Sequence, residues 1–380
     1  MKRIIFIASI LCCTTFFACS SDDPEVPTVE VTDAADLDYS SAYAASWANY
    51  SRNVAALLKS DAQRLSDEWT NGFAEQFRTG RFSGSYNESL QQVLDGCIDI
   101  ANEVGTAKIG EPYDYWTEGK TTTAVYAVES WYSWHSRDDY SNNIKSVANS
   151  LLGTRLSGRL TTASATSAHA NSLYTYCSAL DAARTTALWQ SVVAAYDAIQ
   201  AIPQPFRNNI NSRETVAAMD ACRVLTENLE TMKGLIAAHT DEAGMRPVVE
   251  QYVDAVVLPT YADLARKNTA LYDAVVALGT APSNSTFAAA CEAWLAAREP
   301  WETSEAFLFG PVDELGLDPN MDSWPLDQDA IVKILTSGNY DSLNWSDGDD
   351  DDAIEAAQSL RGFHTLEFLL FKNGNPRTVK

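Results

Sequence analysis

Basic residues are scarce in this chain. Lys and Arg number 27 against 51 Asp and Glu in 380 residues, a formal charge of −24. That balance excludes binding nucleic acid or an anionic membrane through a basic surface. It suits a protein that attracts cations, or simply an acidic soluble one. No Cys-x-x-Cys occurs among the seven cysteines, which removes zinc-ribbon chemistry. No His-Glu-x-x-His occurs either, so the paired imidazoles of a zincin are missing. The run Asp347-Gly348-Asp349-Asp350-Asp351-Asp352 lacks EF-hand spacing, because its Gly follows the first Asp directly. Asp351 or Asp352 as the N-cap of a final helix explains it better. No stretch alternates apolar and polar residues as a half-buried strand would.

The start of the chain is where an apolar run does occur. Met1-Lys2-Arg3 is basic, Ile4 to Phe17 is apolar over 14 residues, and Ala18-Cys19 follows. The run is too short for a permanent membrane helix and has the pattern of a cleaved export signal over 1–18. A small residue followed by Cys resembles a bacterial lipoprotein cleavage box, although Phe16 stands where Leu is commoner. On that resemblance Cys19 is the lipidated first residue, its partner is outer-membrane lipid, and the protein resides in the cell envelope. Residues 19–38 are polar and acidic with no core-forming pattern, a tether. The acidic cluster after Cys19 resembles the surface-export signals of gut bacterial lipoproteins.

The remainder reads as helix. Val54, Leu57, Leu58 and Leu65 fall at helical spacing within 38–77, and Leu90, Val93, Leu94, Cys97, Ile98 and Ala101 within 86–105. A loop is expected through Gly110, Pro112 and Gly119, then helices over 121–134 and 138–152, and an exposed crossover over 154–167. Cys222, Leu225, Leu229, Met232 and Ile236 form a bundle seam. Val257, Leu264, Leu271 and Leu278 repeat the device seven apart, with Pro259 kinking that helix. A long loop is expected over 310–328. The expectation is an all-α protein of two antiparallel helical bundles, 39–243 and 244–380, with the functional site at their interface. Cys97, Cys177, Cys222 and Cys291 sit in Ala/Leu-rich helical contexts, as small buried residues rather than bridge partners.

The richest stretch is Arg361-Gly362-Phe363-His364-Thr365-Leu366-Glu367-Phe368-Leu369-Leu370-Phe371. His364 and Glu367, three apart, share a helix face amid bulky apolar side chains. A carboxylate there needs a partner, a proton or a metal. From the pair alone, a buried His–Glu hydrogen bond and a metal site stand level. Gly362 leaves room for a bulge or for another backbone to approach. Glu129, in Glu-Ser-Trp-Tyr-Ser, and Glu305, in Ser-Glu-Ala-Phe-Leu-Phe-Gly-Pro, also lie among aromatic neighbours and are further candidate ligands. Their bland alternatives are a salt bridge from Glu129 to Arg361, and a loop pinned by Glu305 before Pro311. Ser130, Ser133, Trp324, Asp327 and Arg361 are candidates to hold ligands by hydrogen bonds. His135 belongs at a helix end, and His169 and His239 at the surface.

Gly362-x-His364-x-x-Glu367 resembles the Gly-x-His-x-x-Glu signature of the imelysin-like family. Trp301-Glu302-Thr303-Ser304-Glu305-Ala306-Phe307-Leu308-Phe309-Gly310-Pro311 and Asp322-Ser323-Trp324-Pro325-Leu326-Asp327 resemble its preceding blocks. Ile100-Ala101-Asn102-Glu103-Val104-Gly105-x-x-Lys108, Glu129-Ser130-x-x-Ser133 and Pro203-x-Pro205-Phe206 resemble the family's usual C-terminal half, here placed first, as after circular permutation. The resemblance implies a metal- or small-ligand-binding protein of bacterial iron uptake, with iron or zinc as the divalent ion. It also implies uptake-system proteins as partners. Two alternatives stand beside it: a metallopeptidase, for which no second imidazole flanks His364, and a structural surface lipoprotein without metal.

Overall fold

The computed structural model describes residues 37–346 and 349–379. The expected signal, Cys19 and the tether to residue 36 lie outside that range. The protein is all-α; among the described residues one strand pair joins Phe371–Lys372 to Asn375–Pro376. The helices the argument uses are α1 (Ala44–Glu68), α2 (Tyr86–Glu103), α3 (Ser136–Leu152), α4 (Ala182–Ala201), α5 (Arg213–Ala237), α6 (Glu242–Tyr252), α7 (Leu258–Thr280), α8 (Asn284–Glu302) and α9 (Gly362–Leu370). Starts are set by side chains that accept from free backbone N–H groups: Ser85 from Glu88 at 3.1 Å, Asp181 from Arg184 at 3.0 Å, Ser212 from Thr215 at 3.1 Å. The acidic run is handled the same way, but by Asp350, which accepts from Ala353 N at 2.9 Å.

Two packing groups result. α2, α3, α4 and α5 lie against one another, and α1, α7, α8 and α9 form the other. The helix at the start of the chain therefore joins the last helices, not its sequence neighbours. Trp47 on α1 donates to Leu369 O at 3.0 Å and Tyr50 to Leu360 O at 2.8 Å. A division at 243/244 cuts across this arrangement, because residues 44–68 pack with the later half. The two ends of the described chain also meet: Lys372 pairs with Asp38 at 2.8 Å, and Arg377 donates to Leu37 O. Adjacent ends are the condition that an exchanged order of halves requires.

Three wide turns interrupt the long helices: Trp69–Phe73 after α1, Val104–Lys108 after α2, and Val253–Val257 between α6 and α7. The last is the bend expected at Pro259, which then begins α7 where a missing N–H does no harm. The second delivers Lys108 to the site described below; such insertions recur at functional positions. Residues 110–117 are helical, not loop. Inside the expected 310–328 loop run two short helices, Pro311–Glu314 and Leu317–Asp322. The helix expected over 121–134 stops at Ala127. Beyond it Ser130 and Trp134 adopt left-handed φ of 52° and 63°, and the chain coils as a tight loop into α3.

α9 is buried at all nine positions. Phe363, Leu366, Phe368, Leu369 and Leu370 leave water on every side of the helix, at roughly 2 kcal/mol each. Cys97, Cys177, Cys222 and Cys291 are buried and unpaired, as their contexts imply.

Candidate functional site

The site is built around a guanidinium. Arg298, one turn before the end of α8, is fully buried. Its Nη2 lies 2.7 Å from Glu129 Oε1 and 2.6 Å from Glu302 Oε1, its Nε lies 3.3 Å from Asp139 Oδ2, and its Nη1 bonds Asp322. His364 closes the other side. Its Nε2 stands 3.2 Å from Glu129 Oε1 and 3.1 Å from Asp322 Oδ1, and only 3.4 Å from Arg298 Nη2. Its Nδ1 faces Glu367 Oε2 at 3.1 Å. Glu367 in turn accepts from the Ser133 amide and hydroxyl, both at 2.7 Å, so it steers the imidazole from behind. Lys108 Nζ reaches the second oxygen of Glu129 at 2.9 Å.

Each element holds its residue for a local reason. The left-handed turn at Ser130 lets its hydroxyl bond Asp139, while Ser136 Oγ holds Glu129 O at 2.5 Å, fixing Glu129 against Arg298. Asp322 ends a six-residue helix and accepts from Trp301 Nε1 at 2.7 Å. The last turn of that helix lies on Gly362, whose φ is +88°; a Cβ there would meet Met321 O at 2.6 Å. Trp324 stands edge-on to His364, centroids 4.9 Å apart.

Burial and the nearby Arg298 both push the His364 pKa down, but Asp322 and Glu129 outweigh them and hold it well above the ordinary 6.5. For Glu129, burial raises the pKa, yet Lys108, His364 and Arg298 bring it to about 2. Asp322 is likewise held low against burial by Arg298 and His364. Burial wins at Glu302 and Glu305, whose pKa values are pushed well above the carboxylate range. Six carboxyl groups (Glu129, Asp139, Glu302, Glu305, Asp322, Glu367) thus stand around three cations (Arg298, His364, Lys108), and an added positive charge would draw the raised ones, Glu302 and Glu305, towards their ionised forms.

Above this network opens a cleft of about 520 Å³. Glu129, Asp322 and Glu305 form part of its lining, with Lys108, Tyr115, Tyr126 and Trp324.

The expected site residues divide accordingly. His364, Glu129 and Glu367 come together, with Ser133 and Trp324 in contact with them and Ser130 one residue removed at Asp139. Glu305 lies nearby, its carboxylate within 4.8 Å of those of Glu302 and Asp322. Two side chains stand elsewhere. Asp327 is exposed and caps the helix Gln328–Ser337 through Ala330 N at 2.9 Å. Arg361 pairs with Asp61 at 2.7 Å and lies over Trp345; it does not reach Glu129. His135 begins α3 beside Asp139 at 3.7 Å, His169 is exposed, and His239 is half-buried with its Nδ1 at Leu235 O. Missing from the sequence-based set were Arg298, Asp322, Asp139, Glu302 and Lys108. Arg298 and Glu302 carried a signal: opposite charges four apart on a helix that also carries Trp294 and Trp301.

A family model for imelysin matches residues 23–232 and 257–380. The chain belongs to the imelysin family. A solved relative, described as an imelysin peptidase from Bacteroides ovatus, is 53% identical with a TM-score of 0.88, covering 92% of this chain and 100% of that one. Iron-regulated protein A of Synechococcus elongatus is 33% identical over 128 residues, covering 34% of this imelysin and 32% of that protein. This imelysin thus matches about a third of that relative's length.

Proposed function

We propose that this imelysin is an exported, lipid-anchored binding protein of the cell envelope that captures a metal ion as cargo for iron acquisition. The observation that carries the proposal is the convergence of His364 Nε2, Glu129 and Asp322 ligand atoms within 4.8 Å of one another, beneath an acidic cleft. One nitrogen and two carboxylates suit iron or zinc. Arg298 spans the same oxygens, so an entering ion takes its place and His364 gives up a proton. The site draws on α3, α8, α9 and the loop before α3, which supports a position between the two packing groups. The kinship with a protein named for iron regulation supports the same role. No helix among the described residues is long and apolar enough to cross a membrane, which accords with attachment by lipid at Cys19. Uptake-system proteins would receive the cargo.

Hydrolysis is the second reading, favoured by the relative described as a peptidase. Against it, both His364 nitrogens face carboxylates, and the His135 imidazole faces Asp139 at 3.7 Å.

The experiment is metal loading of stripped protein with iron or zinc, read by elemental analysis. His364→Ala and Asp322→Asn should each weaken retention on the order of tenfold to a hundredfold. Equal uptake by wild type and both variants, or no uptake by any, overturns the proposal. Metal-dependent cleavage of a peptide library, lost in Glu129→Gln, would favour the peptidase.

A further inference from the structure

Glu305 is the one acidic side chain lining the cleft that is at least nine-tenths buried and has no partner. It is 8% exposed, yet among the described residues no donor reaches its carboxylate within hydrogen-bond distance and no cation lies within ion-pair distance. Its position is not accidental. Ser304 Oγ bonds Trp301 O at 2.6 Å, and Ser146 Oγ accepts from Ala306 N at 3.0 Å. Gly96 meets Ala306 O so closely that a Cβ there would stand 2.1 Å from it. The backbone on both sides of Glu305 is clamped, which holds its side chain at the wall of the cleft. A carboxyl group so placed has no cation of the fold to ionise against, and a cation entering the cleft would supply one.

We propose that the cleft holds a subsite for a small organic cation, an ammonium or guanidinium on an apolar or aromatic body, seated on Glu305. The cleft volume of about 520 Å³ lies within the range of small-molecule sites, roughly 300–1,000 Å³, and far exceeds a bare ion. Tyr115, Tyr126 and Trp324 supply ring faces that suit both an apolar body and a positive head. Glu103, Glu111 and Asp318 are further acidic residues of the lining, and Lys108, the one base among the described lining residues, is engaged with Glu129. An anion would meet repulsion throughout.

The choice of an organic cation over a second metal ion follows from how the neighbours are used. Glu302 and Asp322 are the carboxylates nearest Glu305. Glu302 is bonded by Asn143 Nδ2 at 2.6 Å and by Arg298; Asp322 by Trp301 Nε1 and by Arg298. With Asp322 already counted in the metal triad and Glu302 held by Asn143 and Arg298, Glu305 alone is too few for a second divalent ion, which needs several oxygen or nitrogen ligands at once. It is enough for the N–H groups of an ammonium or guanidinium.

The proposal rests on the cleft being a ligand site, as above, but not on metal at His364. The test is calorimetric titration of metal-stripped, full-chain protein with agmatine and phenethylamine, using 2-phenylethanol as the neutral control. Binding of at least one amine and not the alcohol is expected, weakened tenfold or more in Glu305→Gln, a substitution that keeps shape and removes the charge. Tyr126→Leu, altering a wall and not the buried network, should weaken phenethylamine severalfold. Absence of amine binding, equal affinity in Glu305→Gln, or equal binding of the alcohol overturns it. Iron or zinc titrated into separate samples reads the triad independently: amine binding without metal uptake sinks the cargo proposal alone, and metal uptake without amine binding sinks this one alone.

Discussion

Arg298 holds together groups that would otherwise repel. Glu129, Asp139, Glu302 and Asp322 reach it from four different segments. Removing the guanidinium leaves buried carboxylates uncompensated, a change that costs about 3–5 kcal/mol where one partner of a buried pair is deleted. Arg298→Met, close in volume, should therefore lower the unfolding midpoint strongly, as measured by denaturant titration. Added zinc or iron(II) should restore part of the loss if an ion can occupy the vacated position. A variant as stable as wild type would show that the carboxylates are neutralised by protons, not by Arg298. His364, Glu367, Glu129 and Glu305 were legible because each is a charged or imidazole side chain set in an apolar stretch. Arg298 was less so, since an Arg–Glu pair four apart reads equally well as an exposed helix face. Asp322 sat within a family block, but nothing local marks it as pointing inward. That fact belongs to the tertiary structure, where Trp301 and Arg298 arrive from a distant helix.

At the scale of elements, α9 can be seated only if the chain before it comes very close. Gly362 has φ +88°, and the carbonyl of Met321 fills the space where a side chain would begin. Gly362→Ala meets both a strained backbone and a collision with main chain, which cannot shift like a flexible side chain. A loss of about 1–3 kcal/mol is expected from the backbone alone, and more with the clash. Gly234, in α5 with open space around its Cα, is the control: Gly234→Ala should be neutral or stabilise by about 0.5–1 kcal/mol. Paired denaturant melts decide it, and an equal small effect in both would mean that the 317–322 helix yields easily. Helix patterning was readable from the sequence wherever stripes were long, as in α1, α5 and α7. It failed over 128–134, where Ser130, Ser133 and the following Ser136 find partners at Asp139, Glu367 and Glu129 O. Side-chain bonds to distant residues overrode local preference there. It failed again over 317–322, a helix too short to show a period.

At the scale of the whole molecule, the buried network and the net charge of −24 together set how stability responds to pH. Glu129 is lowered to about 2, so its contribution is present above the unfolded value of 4.5 and drains away as pH falls below it. Asp322, also lowered, acts in the same direction. His364, Glu302 and Glu305 are raised in the folded protein. Their contributions are full below the unfolded values, 4.5 for the glutamates and 6.5 for the histidine, and are lost as pH rises through the folded ones. Repulsion among surface acids, which sets in as they ionise around pH 4, offsets part of the gain from Glu129 and Asp322. Opposed slopes put the stability maximum at about pH 4.5–6.5. Metal-free protein melted across pH 3–9 at constant ionic strength should show Tm highest in that window. By about pH 8.5 it should fall on the order of 5 °C, given about 2–4 °C per kcal/mol for a chain of this size. Glu305→Gln removes one of the raised carboxylates, so its alkaline limb should be shallower than that of wild type. A Tm that climbs steadily from about pH 5 to 9 would mean that the buried carboxylates are ionised and already matched by charge within the fold, and the case for an external cation in the cleft would lose its electrostatic basis.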